Sequence, residues 1–419
     1  KTKCKHFKPV SMPKKKEAIV PKPNGFLYYA VCFFAGLYFR WVLGLRVDRS
    51  AVKGIKPPFF VIAGHTSWLD FCTVSIALFP SRINYIAAYN LFRDPVLKFL
   101  LGLIVVISKN QFTRDNQAIL KTKYVINSGR IIGIFPHGCL SNEGRPGGFA
   151  APSIAKLIKT FKIPVVAVQV NGGYLTRPRW TKRIRRGHMD ATVAGLFTTE
   201  ELDNLPEDIM YRRLVDAIDF DDYKWQRQHN VTFRGSHLAE GAELVLYKCP
   251  SCNAEFSLRS KGNSLFCLIC GNKAVMNSKL FFETGKDDSI VFDGIDNWYD
   301  FQQESLLAEI HDPDFRMTTA TLLKWNEPGK YGYQDMGHGN LSLTREALIY
   351  EGKVFEKTET LCFKMKDILM VPFAAGEYFE VANGSEIRRF VLDDVRMMMK
   401  WVLAIRLIRD EYYEKKTGS

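Results

Sequence analysis

A histidine and an aspartate stand five residues apart directly after a buried apolar run. The run FFVIA is followed by GHTSWLD, which contains His65 and Asp70. With the histidine in a loop and the aspartate in the first helical turn, the carboxylate can turn back to one imidazole nitrogen and leave the other as a general base. The same letters match a capping box between Ser67 and Asp70, in which His65 is only the last loop residue. The segment predicts a catalytic pair or a helix start.

A second polar loop, FPHGCLSNEGRPGGF, follows another buried run. Its third and fourth residues are His137 and Gly138, and Arg145 lies further on among glycines that allow close backbone approach to a ligand. The later segment GGYLTRPRWTKRIRRG adds Arg177 and Arg179. These residues predict a substrate-binding region for phosphate or a lipid headgroup, with an ordinary solvated face as the alternative for the arginines. The alternative for His137 is packing beneath the loop with a hydrogen bond to the backbone.

Four of the nine cysteines form two C-x-x-C pairs, Cys249 with Cys252 and Cys267 with Cys270. Their spacing is close to that of a four-thiolate structural zinc site, in which two turns face each other and leave no open coordination position. Rubredoxin-like iron is the alternative. The other five cysteines are scattered, which indicates free thiols and a reducing compartment. The spacing therefore predicts a zinc ribbon that needs its metal to fold.

The elements that must position these residues alternate between strands and helices. Five apolar runs read as buried strands: residues 59–63, 83–88, 103–108, 130–135 and 163–170. Helical patterns lie between them, at 116–127 and 152–161. This alternation predicts an α/β fold with a largely parallel sheet flanked by helices. Both polar loops follow strands, and functional residues of such sheets gather beyond the carboxyl ends of the strands.

The charge of the chain favours acidic partners. Lysine and arginine number 58 against 44 aspartate and glutamate, a formal net charge of +14. Nucleic acid, phosphorylated molecules and anionic membranes all suit that balance. We do not expect a nucleic-acid partner, because residues 242–283 are not rich in arginine and no nucleic-acid module accompanies them.

A basic N-terminus leads into a long apolar stretch at residues 26–45. The stretch has the length of a membrane span, is interrupted by Arg40 and is rich in tyrosine and tryptophan, which suit the headgroup level. Four lysines precede it and suit anionic headgroups: Lys14, Lys15, Lys16 and Lys22. The pattern predicts a membrane-associated helix on the cytoplasmic face, embedded in or lying against one leaflet. Whether it crosses the bilayer stays open, and a buried core helix is the alternative.

Changes of pattern divide the chain into five segments. We expect a basic N-terminus with its membrane-associated helix at 1–50, the α/β core at 51–241, and the zinc ribbon at 242–285. A helical linker at 286–335 and a pleckstrin-like β domain with a C-terminal helix at 336–419 follow.

The order of these features resembles the glycerolipid acyltransferase superfamily, typified by 1-acylglycerol-3-phosphate acyltransferases. Members carry H-x4-D after a strand, then F-P-E-G-T-R-S, then a strand with isoleucine-proline-valine. This sequence supplies His65 to Asp70, FPHGCLS at 135–141 and IPV at 163–165, so the resemblance covers residues 25–190. It implies an enzyme that moves an acyl group from an acyl-CoA or acyl-carrier protein thioester to a lysophospholipid or related glycerolipid, with His65 as base, Asp70 as its orienter and no acyl-enzyme.

Two positions depart from the second block of that family. His137 stands where the family has glutamate, and Leu140 stands where it has arginine. In the family those residues help to hold the phosphate-bearing head of the acceptor. The departures therefore leave two alternatives: an acyltransferase for a phosphate-free acceptor, and a catalytically inactive lipid-binding or adaptor protein on the same fold. Nothing in the sequence indicates an oligomeric state.

Overall fold

The protein forms two compact units. The computed structural model describes residues 19–417 apart from 53, 89–90, 92–97, 100, 103, 110–114, 149, 327–331 and 384–385. The N-terminal unit contains residues 19–238 and 278–280, and the C-terminal unit contains 239–277 and the residues from 281 onward. The basic segment 1–18, with Lys14, Lys15 and Lys16, lies outside the described residues.

A seven-stranded sheet forms the centre of the N-terminal unit. Its strand order is β1-β7-β6-β2-β5-β3-β4, and all neighbours run parallel except β6 and β7. The strands are β1 (Leu45–Asp48), β2 (Phe60–Ala63), β3 (Ile83–Ala88), β4 (Ile107–Lys109), β5 (Ile131–Ile134), β6 (Val165–Asn171) and β7 (Met189–Phe197). The expected α/β fold with a largely parallel sheet is confirmed.

Helices cover both faces of this sheet. They are α1 (Gly25–Trp41), α2 (Asp70–Ala77), α3 (Asn116–Asn127), α4 (Ser153–Phe161), α5 (Gly173–Thr176), α6 (Thr199–Asn204), α7 (Glu207–Ile218) and α8 (Asp222–His229). Alternate residues of β2 enter two different apolar cores: Phe60 and Ile62 join one with Leu214 of α7, and Val61 joins the other with Val74 of α2. Because both faces are covered, β2 is buried along its whole length.

Two strands and one helix break depart from the sequence-based expectation. Neither β1 nor β7 was expected. Strand β7 contains polar residues and alternates between more and less buried positions over only part of its length, so it shows neither a continuous apolar run nor an uninterrupted alternation. The sequence at 199–222 predicts a helical stretch of mixed charge, whereas the structure divides it into α6 and α7. Pro206 stands at the break as the N-cap of α7, where a proline interrupts the preceding helix and suits the start of the next.

The C-terminal unit contains a small four-stranded sheet and a larger seven-stranded one. The small sheet has the order β11-β10-β9-β8 and is antiparallel; its strands are β8 (Leu258–Lys261), β9 (Ser264–Cys267), β10 (Lys273–Met276) and β11 (Phe282–Thr284). The larger sheet has the order β15-β14-β13-β12-β18-β17-β16. Its strands are β12 (Met317–Trp325), β13 (Gln334–Leu343), β14 (Ala347–Val354), β15 (Lys357–Lys364), β16 (Phe373–Ala374), β17 (Tyr378–Asn383) and β18 (Glu386–Leu392).

Two helices complete this unit, α9 (Ile295–His311) and α10 (Met398–Thr417). The segment 286–335, expected to be a linker, holds α9 and also β12, so the larger sheet begins at Met317 instead of 336. Helix α9 is packed and not a spacer, because Trp298 is buried and donates from Nε1 to the carbonyl of Lys248 at 2.9 Å. The seven antiparallel strands and the final helix are observed, whereas the pleckstrin-like assignment stays a prediction.

Helix α1 has one buried side and one broad exposed apolar side. Tyr28, Cys32, Gly36 and Phe39 are buried at helical spacing. The large apolar residues of the exposed side are Phe26, Tyr29, Val31, Phe33, Phe34, Leu37, Tyr38 and Trp41. The helix has 17 residues, and none of the helices among the described residues is both long and apolar enough to span a membrane.

Candidate active site

The His65–Asp70 pair forms at the junction of β2 and α2. Asp70 is the first residue of α2 and is fully buried, and its Oδ2 lies 2.8 Å from Nδ1 of His65. A carboxylate oxygen only accepts hydrogen bonds, so Nδ1 is the donor in this bond and Nε2 is the ring nitrogen left for another partner. This is the arrangement of an oriented general base. The side chain of His65 is 25% exposed, which leaves it accessible to a substrate.

Further donors fix the carboxylate of Asp70. Thr66 donates from Oγ1 to Oδ1 at 2.7 Å, and the backbone amide of Ser67 donates to Oδ2 at 2.9 Å. The bond from Ser67 is the half of a capping box in which the acidic residue reaches back, but the helix begins at Asp70 and Leu69 donates to Ser67 Oγ. The carboxylate of Asp70 therefore bonds both to a backbone amide at the start of the helix and to the imidazole of His65, as the two interpretations of this segment expect.

Aromatic rings hold the imidazole from its other side. His65 stacks on Phe135 with ring centroids 4.7 Å apart and an angle of 24° between the planes. Phe135 stacks in turn on Tyr85, which is buried and bonded through its hydroxyl to Ser75. Because Phe135 directly follows β5, the second polar loop helps to set the orientation of the imidazole.

The two polar loops meet because β2 and β5 are neighbouring parallel strands. Ile62 of β2 is in register with Ile134 of β5, so both strands end at the same edge of the sheet. The amide of Ser141 donates to the carbonyl of His65 at 3.2 Å. The sequence places these residues about seventy positions apart, and the parallel register brings them together.

His137 is buried beside His65. Its Nδ1 has no hydrogen-bond partner within the described part of the chain, and its ring meets Phe220 edge-on at 6.4 Å. Burial, with a smaller contribution from the nearby His65, lowers the pKa of His137 to about 4. The imidazole is therefore neutral at physiological pH. Its burial agrees with the packing alternative, whereas the backbone hydrogen bond of that alternative is not seen at Nδ1 within the described residues.

The other predicted residues of the second polar loop lie within its ordered backbone. Gly138 has φ +67°, which suits glycine, and Leu140 is buried. Arg145 lies half-buried in the same loop, and its carbonyl accepts from Ser141 Oγ at 2.6 Å. The loop is thus an ordered backbone structure, and it places no cationic group at position 140.

The two later arginines differ in their contacts. Arg179 donates from Nη1 to the carbonyl of Leu140 at 3.1 Å and to Oδ1 of Asn142 at 3.0 Å. It therefore braces the second polar loop, in addition to any contact with substrate. Arg177 is half-buried, and no partner is seen for its Nε among the described residues. Arg179 thus lies beside the second polar loop, and the binding of substrate by either arginine stays a prediction.

One residue at this site escaped the sequence-based prediction. Asp222 is fully buried and accepts hydrogen bonds from the amides of Gly172 at 3.0 Å and Tyr174 at 2.9 Å, and its own amide donates to the carbonyl of Gly144 at 2.9 Å. Burial raises the pKa of Asp222 to about 7, although the hydrogen bonds from these amides lower it. The charge of Asp70 adds to the rise. The sequence feature that could have drawn attention to Asp222 is the preceding residue, Asp221, whose side chain caps the start of α8.

Residues 46–171 match the family model named Acyltransferase. This segment of the chain is thus similar to the Acyltransferase family. The chain is also 26% identical over 121 residues to the 1-acyl-sn-glycerol-3-phosphate acyltransferase of Bacillus subtilis (strain 168), which covers 29% of this chain and 61% of that protein. The chain therefore spans about three fifths of the length of this curated relative.

A solved structure is also similar to this chain. It is the 1-acyl-sn-glycerophosphate (LPA) acyltransferase PlsC of Thermotoga maritima, with a TM-score of 0.40 and 16% identity. The similarity covers 48% of this chain and 80% of that one. Residues 46–171 include both polar loops, so His65, Asp70 and His137 all lie inside the matched segment.

Outside the matched segment, the four paired cysteines come together in the C-terminal unit. Their sulfur atoms all lie within 4.8 Å of one another, with 3.7 Å between Cys249 and Cys270 and 3.8 Å between Cys252 and Cys267. A regular tetrahedron with metal–sulfur bonds of about 2.3 Å has edges of roughly 3.8 Å. The donor set and its spacing therefore fit a tetrahedral metal ion and leave no ligand position for chemistry.

Proposed function

We propose that this protein is a membrane-associated O-acyltransferase. It transfers a fatty acyl group from acyl-CoA or an acyl-carrier protein to a lysophospholipid or a related glycerolipid acceptor. The observation that carries the proposal is the hydrogen bond between His65 and the buried Asp70, inside a segment that matches the Acyltransferase model. Its partners are the thioester donor and membrane lipids.

The proposed reaction begins at Nε2 of His65. This nitrogen takes the proton of the acceptor hydroxyl, and the oxygen attacks the carbonyl carbon of the thioester. The new carbon–oxygen bond forms as the carbon–sulfur bond breaks, and the thiolate leaves with the electron pair and takes the proton from the imidazolium. Asp70 holds the ring and stabilises the imidazolium that forms between these steps. No acyl-enzyme is needed.

The acceptor side of the proposal rests on the second polar loop. His137 and Gly138 lie next to the base, and Arg145, Arg177 and Arg179 are the cations that would hold a phosphate or headgroup. His137 is neutral and Leu140 is buried and apolar, so the positive charge must come from the arginines. A phosphate-free acceptor is the second candidate, favoured by the neutral character of these two side chains.

The test is thiol release from a panel of acyl-CoA and acyl-carrier donors with lysophosphatidic acid, other lysolipids and phosphate-free acceptors. We expect His65→Ala to reduce turnover at least 100-fold, since removing a general base costs about that much or more. His188→Ala is the matched control, because His188 also pairs with a carboxylate, Asp190, at 2.7 Å. Equal turnover in His65→Ala and the native protein would refute the role of the base.

The same assay separates the alternatives. Turnover that prefers phosphate-bearing acceptors supports the arginines as headgroup contacts, whereas preference for neutral acceptors supports the second candidate. Lipid binding without turnover of any donor identifies the protein as a lipid-binding or adaptor protein.

Two further assignments belong to this proposal. The four-cysteine cluster holds a structural zinc ion, supported by sulfur separations that fit a tetrahedron. Helix α1 lies against the cytoplasmic leaflet of a membrane through its exposed aromatic side, supported by the clustering of large apolar residues there. Nucleic acid is not among the proposed partners.

A further inference from the structure

The small sheet of the C-terminal unit has one buried face and one cationic face. Its inward residues include Leu265, Cys267 and Ala274, which are buried. The opposite face carries Phe266, which is in register with Arg259 on β8 and with Lys273 on β10. Directly opposed residues of neighbouring strands share a face, so the aromatic ring stands between two cations.

A cleft of about 330 Å³ opens on this outer face. It is lined by Lys261, Ser264, Phe266, Gly271, Lys273 and Lys286. None of the three lysines has a carboxylate within ion-pair distance among the described residues, although Asp287 and Asp288 follow Lys286 in the sequence. Three clustered ammonium groups without a counter-charge repel one another, and a bound anion would relieve that repulsion.

Glycines bring two of these lysines close to the backbone. A side chain at Gly285 would overlap Cγ of Lys273, and one at Gly271 would lie 3.3 Å from Nζ of Lys286. Gly271 also has φ +72°, which disfavours any replacement. The lysine stems therefore lie over glycine backbone, and this arrangement directs their charges into the cleft.

Two large aliphatic side chains stand exposed next to this cleft. Leu268 is 60% exposed and Ile269 is 70% exposed, and both lie in the turn between Cys267 and Cys270. Gly271, which follows that turn, lines the cleft. We call Leu268 and Ile269 the knuckle tip. Aliphatic side chains held outward by a rigid turn have no packing role within the described part of this unit.

We propose that the knuckle tip and the lysine cleft form a docking site for an anionic lipid surface. The tip enters the apolar boundary of the bilayer, and Lys261, Lys273 and Lys286 bind the phosphates of headgroups beside it. Adjacent apolar and cationic groups are the combination that interfacial membrane contacts require. A soluble phosphate would occupy the cleft without using the tip.

This inference does not rest on the acyltransferase proposal. The cleft and the knuckle tip belong to the C-terminal unit, whereas His65 and the exposed side of α1 belong to the N-terminal unit. An assay that finds no acyl transfer would therefore not contradict the lipid contact of the C-terminal unit. Likewise, a failure of that lipid contact would not contradict acyl transfer.

The test is hydrogen exchange of the full chain with its metal bound, followed over residues 258–273. Vesicles of phosphatidylcholine with phosphatidylglycerol should slow exchange in this segment several-fold, and vesicles of phosphatidylcholine alone should not. Inorganic pyrophosphate and duplex DNA serve as parallel arms. Protection by pyrophosphate or DNA but not by anionic vesicles, or no protection in any arm, would overturn the proposal.

Variants locate the contact. The triple change Lys261→Gln, Lys273→Gln and Lys286→Gln should weaken vesicle binding at least tenfold, because each lysine near an anionic surface contributes about fivefold. The double change Leu268→Ser and Ile269→Ser should abolish the local protection. Matched controls in the same unit are Lys353→Gln with Lys357→Gln and the exposed Leu369→Ser. If the controls lose as much binding as the tip and cleft variants, the contact is non-specific and the proposal is wrong.

Discussion

At the scale of single residues, one carboxylate joins the start of a helix to the chemistry of an imidazole. Asp70 accepts from the amide of Ser67, which a helix start requires, and from Nδ1 of His65, which a base requires. Because both bonds end on Oδ2, the helix geometry also sets the imidazole geometry. A change at Asp70 would alter both, so His65 is the better residue for testing the chemistry alone.

Asp222 provides a prediction at this scale. The pKa of its buried carboxyl is raised from 3.8 to about 7, so the folded protein holds that proton more tightly than the unfolded chain does. Its contribution to stability therefore falls as the pH rises from about 4 to 7, by up to roughly 4 kcal/mol, and is constant above that window. Asp222→Asn should lose this slope, measured as the difference in the free energy of unfolding between pH 5 and pH 8.

The control for this prediction is Asp216→Asn, since Asp216 is exposed on α7. A difference between Asp222→Asn and the native protein that stays constant across the pH range would contradict the raised pKa. The substitution also replaces one acceptor oxygen by a donor facing backbone amides, so an overall loss of stability is expected at every pH. The pH dependence, and not the absolute loss, reports the titration.

At the scale of elements, the cysteine turns are part of the core of the C-terminal unit. Lys248, next to Cys249, donates to Ser305 of α9, and Lys400 of α10 donates to Glu255 at 2.8 Å and to Glu309 of α9 at 2.6 Å. Tyr247 is buried, and its backbone amide donates to Oε1 of Gln302 on α9 at 3.0 Å. The residues that flank the first cysteine turn thus bond to both helices. A change in the conformation of this turn would therefore also disturb α9 and α10.

We therefore expect metal removal to destabilise these helices as well as the cysteine turns. Chelation, or Cys249→Ser, should lower the melting temperature and speed hydrogen exchange in α9 and α10, because the turns that anchor them lose their fixed geometry. Metal analysis should find one zinc ion per chain. Cys362→Ser is the control in the same unit, and unchanged exchange in α9 and α10 after chelation would show that the metal does not support them.

At the scale of the whole molecule, basic charge and an exposed aromatic side suggest association with a surface. The chain carries a net charge of +14, and Phe26 and Trp41 of α1 are 87% and 84% exposed. Exposed aromatic clusters of this kind are uncommon on proteins without a partner, and rings suit the headgroup level of a bilayer. The buried side of α1 packs in the N-terminal unit, so the exposed side is presented by a supported helix.

This leads to a prediction for the full chain. Replacing Phe26, Phe34 and Trp41 by serine should reduce partitioning into vesicles at least tenfold, since each change removes an apolar side chain that would leave water on binding. The control is Leu120→Ser on α3, which is exposed but lies outside this aromatic cluster. Flotation with anionic vesicles measures the effect, and partitioning equal to that of the native protein would exclude α1 as the contact.

Short-range spacing carried the predictions that the structure reproduces. The five-residue step from His65 to Asp70 and the two C-x-x-C turns each place their side chains through local backbone geometry, which a sequence encodes directly. Alternating apolar runs likewise indicated the parallel sheet. Strand β7 was missed because its pattern is neither a continuous run nor an uninterrupted alternation.

The sequence by itself therefore determined the His65–Asp70 pair and the two cysteine pairs, which depend on neighbours a few positions apart, and the fold class, which follows from the alternation of short apolar and helical patterns. The tertiary structure alone decided that Asp222 bonds residues fifty positions away, that α9 packs against the cysteine segment, and that His137 is buried and neutral. These facts depend on which distant backbone groups the packed sheet and helices bring together. Burial and its effect on charge arise only when the chain has excluded water from those places.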